Sequence, residues 1–200
     1  MPEEFKLKVK EVIQRAHNVK SIRLEEARAV EYKPGQFLCA KLNTEDECKR
    51  YLSLSSSPTE KGYIEFTKKI TQSDFSHAIN SIKPGDWLKI EYPFGTFTLK
   101  GDEDKIAFIS GGIGITPIRS ICKYAIDKKL NVKIVLVYAN RSIREIIFRE
   151  DFDLMQRQSP EFKVAHVLCE PAEGFKCRVG LINSAIIKNE VPDFKERKFY

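Results

Sequence analysis

A short apolar stretch that leads into clustered glycines is the feature that most constrains the fold of this 200-residue chain. Residues 106–110 are apolar up to a final serine, and apolar residues recur at helical spacing from Ile115 onwards. This order predicts a β-strand, a tight turn and an α-helix. Thr116 suits the N-cap and Pro117 the first helical position, so the amides of the turn would face an anion. The glycines of the turn are Gly111, Gly112 and Gly114.

Taken alone, this pattern has two interpretations. It matches a dinucleotide-binding fingerprint at two of its three glycines, and such short matches also arise by chance. A glycine-rich connection between a strand and a helix that binds nothing would have the same sequence. The rest of the chain has to decide between the two.

Composition and charge exclude several classes of protein. Apolar residues make up 42% and charged residues 31% of the chain, and no stretch approaches the ~20 apolar residues of a membrane span. The first residues lack the apolar segment of a signal peptide, so we expect a cytoplasmic protein. Five cysteines without a C-x-x-C pair and three separated histidines predict no metal site. The net charge of +6 comes from basic residues interspersed with acidic ones, which argues against nucleic-acid binding.

The first half of the chain has the pattern of short β-strands. Residues 37–42, 63–67 and 87–92 are rich in strand-forming residues and are bounded by turns that contain glycine. Several strands at such intervals predict an antiparallel barrel or sandwich. Residues 73–82 interrupt them as a short helix with Ser73 or Asp74 as its cap. The apolar face of this helix would consist of Phe75, Ile79 and Ile82.

The second half alternates strands with helices, which is typical of a parallel sheet with helices on both faces. The charged residues 99–105 separate the two patterns, and we place the domain boundary near Gly101. The predicted domains are therefore residues 1–100 and 101–200. Strands are predicted at 106–110, 132–138 and 163–168, and helices from 116, around 148–158 and from about 181.

An arginine followed by hydroxyl residues lies between two predicted strands of the first domain. Arg50 precedes Ser53 by three residues, and a run of serines reaches Pro58. A guanidinium can bind two oxygens at once and serines can donate or accept, so the segment suits a phosphate or a polar ring edge. The alternative is a strand and turn whose serines satisfy their own backbone.

In combination, these motifs resemble the ferredoxin-NADP reductase family of flavoprotein reductases, in the expected order and over nearly the whole chain. The resemblance implies an antiparallel Greek-key β-barrel that binds flavin, followed by an α/β parallel-sheet domain that binds a nicotinamide nucleotide. It also implies an oxidoreductase that passes electrons from NAD(P)H through FAD to a one-electron acceptor such as ferredoxin, flavodoxin or a partner subunit. The matching segments are Pro34-Gly-Gln-Phe37, Arg50-x-x-Ser53 with the serines up to Pro58, Ser73-x-x-Ser76, Pro93-Phe-Gly-Thr-Phe97, Gly111-Gly-Ile-Gly-Ile-Thr-Pro117, Tyr138-Ala-Asn-Arg-Ser142 and Ile146-Ile-Phe-Arg-Glu150.

The resemblance also implies roles for individual residues. Arg50 would neutralise the flavin diphosphate with help from Ser76. Ser53 would hydrogen-bond near flavin N5, which accepts the hydride, and is therefore the candidate catalytic residue. The other flavin candidates are Tyr51, Leu52, Thr67, Lys68, Lys69, Ser73 and Phe75, with the backbone from 67 to 69 flanking the ring. The nucleotide candidates are Gly111, Gly112, Gly114, Thr116, Pro117, Arg141 and Ser142.

The chain departs from the family pattern at three places. Leu52 replaces the tyrosine that stacks on the flavin, while Tyr51 would point to the other face of a regular strand. Ser73 replaces the glycine of the diphosphate turn. The sequence ends at Tyr200, before the family's Cys-Gly-Pro segment, and residues 199–200 resemble the start of a strand, which favours a truncated chain.

The sequence therefore leaves open which nucleotide the chain prefers and which function it has. Arg141 and Arg144 follow the second parallel strand and slightly favour the 2'-phosphate of NADP, although both could be exposed loop charges. Besides a reductase, the chain could be a flavin-carrying electron-transfer subunit without independent NAD(P)H activity. A third possibility is a flavin-free binding module on the same fold.

Overall fold

A six-stranded antiparallel sheet forms most of the first of two units in the chain. The computed structural model describes residues 2–25, 31–42 and 48–200, and this unit comprises Met1–Thr98 with Thr116–Tyr124. The first strand, Glu3–Ala16, pairs along its first half with the strand Trp87–Phe94 and along its second half with the strand Val19–Glu25. In chain order the strands are β1 (Glu3–Ala16), β2 (Val19–Glu25), β3 (Phe37–Leu42), β4 (Cys48–Ser53), β5 (Tyr63–Lys69) and β6 (Trp87–Phe94). Across the sheet they lie in the order β4-β3-β6-β1-β2-β5.

The two edge strands of this sheet meet and close it into a barrel. Leu54, one residue past β4, forms a backbone bridge with Phe66 of β5. The Ser55 amide donates to the Glu65 carbonyl across 2.7 Å at the same place. Apolar residues that alternate along the strands fill the interior, and the predicted antiparallel barrel is confirmed. Fully buried examples are Ile22, Leu24, Leu38, Phe66 and Ile90.

Helix α1 (Asp74–Ser81) packs its apolar face into the barrel core. Of the two predicted caps, Ser73 is the N-cap and Asp74 is the first helical residue, and the Ser73 hydroxyl accepts a hydrogen bond from the Ser76 amide at 3.3 Å. Phe75 and Ile79 are fully buried among the barrel residues. The apolar residues of α1 recur at helical spacing, so they share one face of the helix, and that face packs against the barrel.

The second unit, Leu99–Ile115 with Ala125–Tyr200, contains a five-stranded parallel sheet, which confirms the predicted α/β domain. Its three longer strands are largely apolar, as expected where both faces of a parallel sheet are covered. The domain boundary near Gly101 stays a prediction. In chain order the strands are β7 (Lys105–Gly111), β8 (Lys133–Asn140), β9 (Phe162–Leu168), β10 (Arg178–Val179) and β11 (Lys198–Phe199). Across the sheet they lie in the order β10-β9-β8-β7-β11. The remaining helices are α2 (Ile115–Asp127), of which residues 116–124 belong to the first unit, and α3 (Arg149–Gln158) and α4 (Ser184–Glu190) of the second.

Two helix starts differ from the sequence-based expectation. The prediction of Thr116 as an N-cap is wrong, because a 3-10 turn at Gly112–Gly114 runs directly into α2, which begins at Ile115. Pro117 is tolerated there since the amides of the first helical turn have no partner within the helix. α4 begins at Ser184 because the Asn183 side chain caps it, accepting from the Ile186 amide at 3.0 Å.

No helix in the described part of the chain is long and apolar enough to cross a membrane. The same residues contain no group of three or more His, Cys, Asp or Glu side chains arranged to hold a metal ion. All five cysteines are free thiols. The cytoplasmic location stays a prediction.

Candidate functional site

A gap between the edge strands of the barrel brings together most of the residues predicted to bind flavin. β4 and β5 end the sheet on either side, and within the described ranges Leu54–Phe66 is the bridge that joins them. Because the bridge is antiparallel, residues 50–53 run back from it alongside residues 67–69. Backbone groups on these open edges can bond to a ligand instead of a neighbouring strand.

Two cations lie together at this gap. The Arg50 guanidinium carbon is 5.8 Å and the Lys68 ammonium 6.0 Å from the centroid of the Phe75 ring. Neither side chain forms an ion pair with any residue in the described part of the chain. Burial, with the neighbouring Arg50 charge, lowers the pKa of Lys68. Like charges held together without a counter-ion are typical of an anion-binding site.

Hydroxyl groups and a helix end complete this anion site. Phe75 lies in the first turn of α1, so both cations stand near the positive end of that helix. The Ser73 hydroxyl donates to the Ser76 hydroxyl at 3.1 Å, and Thr71 bonds to Ser76 at 2.9 Å. Sequence analysis missed Thr71, although a hydroxyl two residues before a helix cap is a recognisable signal. The donor set suits a diphosphate group.

The remaining flavin candidates have different environments. Ser53 is half-buried, and its hydroxyl has no hydrogen-bond partner among residues 2–25, 31–42 and 48–200. Leu52 packs against the barrel core. Tyr51 lies on the opposite face of β4, is 61% exposed, and contacts the Phe37 ring edge-on at 5.7 Å. Thr67 can contact a ligand through its backbone alone, because its buried hydroxyl is bonded to other hydroxyls: Ser21 at 2.6 Å and Ser55 at 2.8 Å.

The serine run after Ser53 is structural, as the alternative interpretation of that segment allowed. Ser55, Ser56 and Ser57 are fully buried. The Ser55 hydroxyl donates to Glu65 at 2.8 Å, and the Ser56 hydroxyl accepts from the Glu65 amide at 2.8 Å. These bonds tie the hydroxyls of Ser55 and Ser56 to the barrel itself.

A buried ion pair also holds this segment. Arg119 on α2 donates to the Ser55 carbonyl at 3.0 Å and binds both oxygens of Glu60, one of them at 3.0 Å. Ser120 donates to the Ser56 carbonyl at 2.6 Å. Burial alone would raise the pKa of Glu60, but Arg119 outweighs it, and the pKa lies below its usual range. Nothing in the sequence pairs these residues, and sequence analysis missed them.

The glycine turn of the second unit leaves open space for a ligand. Gly112 has a φ of +50°, which favours glycine, and a Cβ there would meet no atom within 4 Å. The Ser110 hydroxyl is buried without a hydrogen-bond partner among the described residues. A Cβ on Gly114 would lie 3.6 Å from this hydroxyl. An open glycine turn beside an unsatisfied buried hydroxyl fits the phosphates of a nucleotide.

The position of this turn in the sheet is also that of a ligand site. β8 and β9 lie on one side of β7 and β11 on the other, so the strand order reverses at β7. The turn leaves the carboxyl end of β7 at this switch point, where open α/β sheets bind their ligands. Thr116 is buried and Pro117 half-buried in the first turn of α2.

The residues after β8 form a pocket in which glutamates outnumber arginines. Arg141 is exposed and pairs with Glu170 at 3.2 Å, and the Glu170 amide donates to the Arg141 carbonyl at 3.0 Å. Sequence analysis missed Glu170, which follows the next strand, 29 positions away. The pocket, of about 520 Å³, is lined by two arginines and three glutamates, with Ser142 beside them: Arg141, Arg144, Glu145, Glu170 and Glu173.

Two family models together cover most of the chain in the order of its units. An oxidoreductase FAD-binding domain matches residues 4–99, and an oxidoreductase NAD-binding domain matches residues 108–200. The chain belongs to the ferredoxin-NADP reductase-like family of flavoprotein oxidoreductases. The predicted family and the predicted cofactors, FAD and NAD(P)H, are thereby confirmed, while the role of each site residue stays a prediction.

Curated relatives are reductase components. The chain is 31% identical over 176 residues to the glycine betaine monooxygenase reductase subunit of Pseudomonas aeruginosa, a match that covers 84% of this chain and 48% of the relative. It is 31% identical over 156 residues to one subunit of the Na(+)-translocating NADH-quinone reductase of Pseudomonas aeruginosa, covering 72% of this chain and 38% of the relative. The chain thus spans about half the length, or less, of these relatives.

Solved structures share the fold at low sequence identity. An Amycolatopsis cytochrome P450 reductase has a TM-score of 0.86 at 21% identity, covering 99% of this chain and 61% of that one. A ferredoxin NADP+ reductase from Neisseria gonorrhoeae with bound FAD and NADP has a TM-score of 0.84 at 15% identity, covering 98% and 83%. These likenesses establish the two-domain architecture.

Proposed function

We propose that this chain is the FAD- and nucleotide-binding part of a reductase that passes electrons from a nicotinamide nucleotide to a one-electron acceptor. The observation that carries the proposal is the two cations beside the amino end of α1, Arg50 and Lys68, which form no ion pair with the described residues. In a chain of this family, those charges suit the flavin diphosphate. The glycine turn at the switch point of the parallel sheet supports the nucleotide half of the proposal.

The protein's contribution to such a reaction is to bind and orient. FAD, when bound, accepts a hydride from the nucleotide and passes its electrons on singly. Arg50 and Lys68 neutralise the diphosphate, with the Ser73 and Ser76 segment presenting the end of α1. Ser53 offers a hydroxyl that no described residue binds and that can bond to the reacting edge of the ring. Orientation of this kind can lower a barrier without any covalent step on the protein.

The acceptor is a small redox protein or a partner subunit. Relatives whose names describe them as reductase subunits support the second, and they also favour the alternative of an electron-transfer subunit without independent nucleotide activity. The two functions differ in one property. A reductase takes electrons directly from the nucleotide, whereas the alternative subunit receives them from elsewhere in its complex.

Anaerobic mixing with nucleotide tests the proposal. The full gene product, purified and supplied with FAD, should carry the yellow absorption band of bound flavin, and NADH should bleach it. Absorbance in a stopped-flow instrument measures the rate, with NADPH and buffer as comparisons. A protein that binds no FAD would refute the reductase and support the flavin-free module. Bound flavin that neither nucleotide bleaches would refute the reductase in favour of the electron-transfer subunit.

We also propose that NADH is the preferred nucleotide. The sequence slightly favoured NADP because Arg141 follows β8, but that guanidinium is already paired with the Glu170 carboxylate. An acidic side chain at the carboxyl end of these strands suits the ribose hydroxyls and repels a 2'-phosphate.

Glu170→Gln is expected to shift this preference towards NADPH. Removing the charge frees Arg141, and we expect the ratio of kcat/KM for NADPH to that for NADH to rise roughly 5- to 10-fold, or ~1–1.4 kcal/mol. Steady-state kinetics with both nucleotides measures the ratio. Glu173→Gln, at another glutamate of the same pocket, is the matched control. An unchanged ratio in Glu170→Gln would count against the assignment of this pocket to the ribose.

A further inference from the structure

The glycine turn is held from within the sheet by a tyrosine hydroxyl. Tyr138 on β8 lies opposite Ser110 of β7 and is fully buried. Its ring packs edge-on against Phe152 at 6.1 Å. Its hydroxyl donates to the Gly112 carbonyl at 3.0 Å. Burial raises the pKa of Tyr138, so the hydroxyl keeps its proton and can act as a donor at neutral pH.

This bond adds a second donor, beside the Ile115 amide, to a carbonyl in a glycine-rich turn. Gly112 begins the 3-10 turn with a φ of +50°, Gly111 precedes it and Gly114 ends the turn. In a trans peptide the carbonyl and the following N–H point in opposite directions. A donor that holds the Gly112 carbonyl therefore also sets the direction of the next amide. A turn ordered before binding loses less entropy when a ligand arrives.

We propose that Tyr138 is a positioning residue for the nicotinamide nucleotide: its hydroxyl holds the Gly112–Gly114 turn in the conformation that receives the diphosphate. The inference rests on the proposed function, because it takes the turn to be the nucleotide site. Tyr138 acts through the turn and touches no reacting atom.

Tyr138→Phe tests the inference because it removes the hydroxyl and keeps the ring. In the full gene product with FAD bound, the Kd for NAD+ measured by calorimetry should rise about 5-fold, the value of one net hydrogen bond of ~1 kcal/mol. Flavin content should not change, and the rate of flavin reduction at saturating NADH should fall less than 2-fold. Tyr124→Phe is the matched control, since Tyr124 is half-buried on α2 and its hydroxyl makes no hydrogen bond with the described residues.

A second variant locates the effect in the turn. Gly112→Ala strains the positive φ and should weaken NAD+ binding as well. The double variant should lose less affinity than the two single losses combined, because both act on one turn. Should Tyr138→Phe fail to fold, Gly112→Ala decides alone, and unchanged NAD+ affinity in it would overturn the inference.

The possible failures are distinguishable. Equal NAD+ affinity in Tyr138→Phe and the wild type would overturn the positioning role and leave the proposed function standing. A parallel loss of flavin and of melting temperature would also overturn it, since that pattern indicates a general structural role. A wild-type protein that binds no NAD+ would overturn both proposals.

Discussion

Arg50→Ala is expected to strip FAD from the protein while the barrel stays folded. Arg50 is exposed and lies outside the barrel core, and neither it nor Lys68 beside it at the gap forms an ion pair with a described acidic residue. Removing one partner of a close charge pair costs ~2–5 kcal/mol, so the Kd for FAD should rise about 30-fold or more. Fluorescence titration of the flavin-free protein with FAD measures the Kd, and circular dichroism reports on the fold.

Three other variants define this site. Lys49→Ala removes the adjacent cation, which points to the other face of β4, and should leave the Kd unchanged. Lys68→Ala should weaken FAD binding less than Arg50→Ala, because an ammonium cannot bind two oxygens at once. The Kd of Arg50→Lys for FAD should lie between those of the wild type and Arg50→Ala, because lysine keeps the charge but cannot bind two oxygens at once. If Arg50→Ala binds FAD as tightly as the wild type, the assignment of the anion site fails.

Arg119→Ala should be strongly destabilising. The Arg119 side chain is 5% and the Glu60 side chain 13% exposed, so the substitution leaves a largely buried carboxylate without its cation and the Ser55 carbonyl without a donor. Breaking such a buried pair costs ~3–5 kcal/mol of the free energy of unfolding. Urea unfolding followed by circular dichroism measures the loss. A loss below about 1 kcal/mol would show that the pair is not required to hold the serine segment.

Acid should reduce the difference between this variant and the wild type. Because the folded pKa of Glu60 is lowered, the pair stabilises the wild type above the ordinary value of 4.5, and this contribution is lost as pH falls through the folded pKa. The gap in unfolding free energy should therefore narrow below that pH. The double variant with Glu60→Gln should lose less than the sum of the single losses, since no charge is left unpaired. A gap that does not vary with pH would contradict the role of Glu60.

Local patterns predicted much of the architecture correctly. Strand-forming residues bounded by turns predicted the segment that became β6, and Ser73 was one of the two residues predicted to cap α1. The glycines after β7 predicted a turn between a strand and a helix. The start of α2 was wrong by one residue, because the 3-10 turn continues into the helix where a cap at Thr116 was expected. Such patterns work because strands and helices bury side chains at fixed intervals along the chain.

Charges were predicted less well than spacings. The sequence pointed to Arg50 as a phosphate ligand, and the structure adds Lys68, whose backbone alone had been expected to contribute. It pointed to Arg141 as a cation for NADP, whereas the structure pairs that residue with Glu170. A charged side chain shows its type in the sequence but not its partner, and the partner decides whether the charge is available to a ligand.

The sequence by itself determined the family, the order of the two domains and the segments expected to bind the cofactors, because each depends on short motifs with local geometry. Only the tertiary structure decided which side chains share a site. Closure of the barrel brings residues 50–53 beside residues 67–69, and α2 brings Arg119 to Glu60, 59 positions away. The glycine turn was visible in the sequence from the start. Its support from Tyr138 was not, because that contact exists only once β7 and β8 pair.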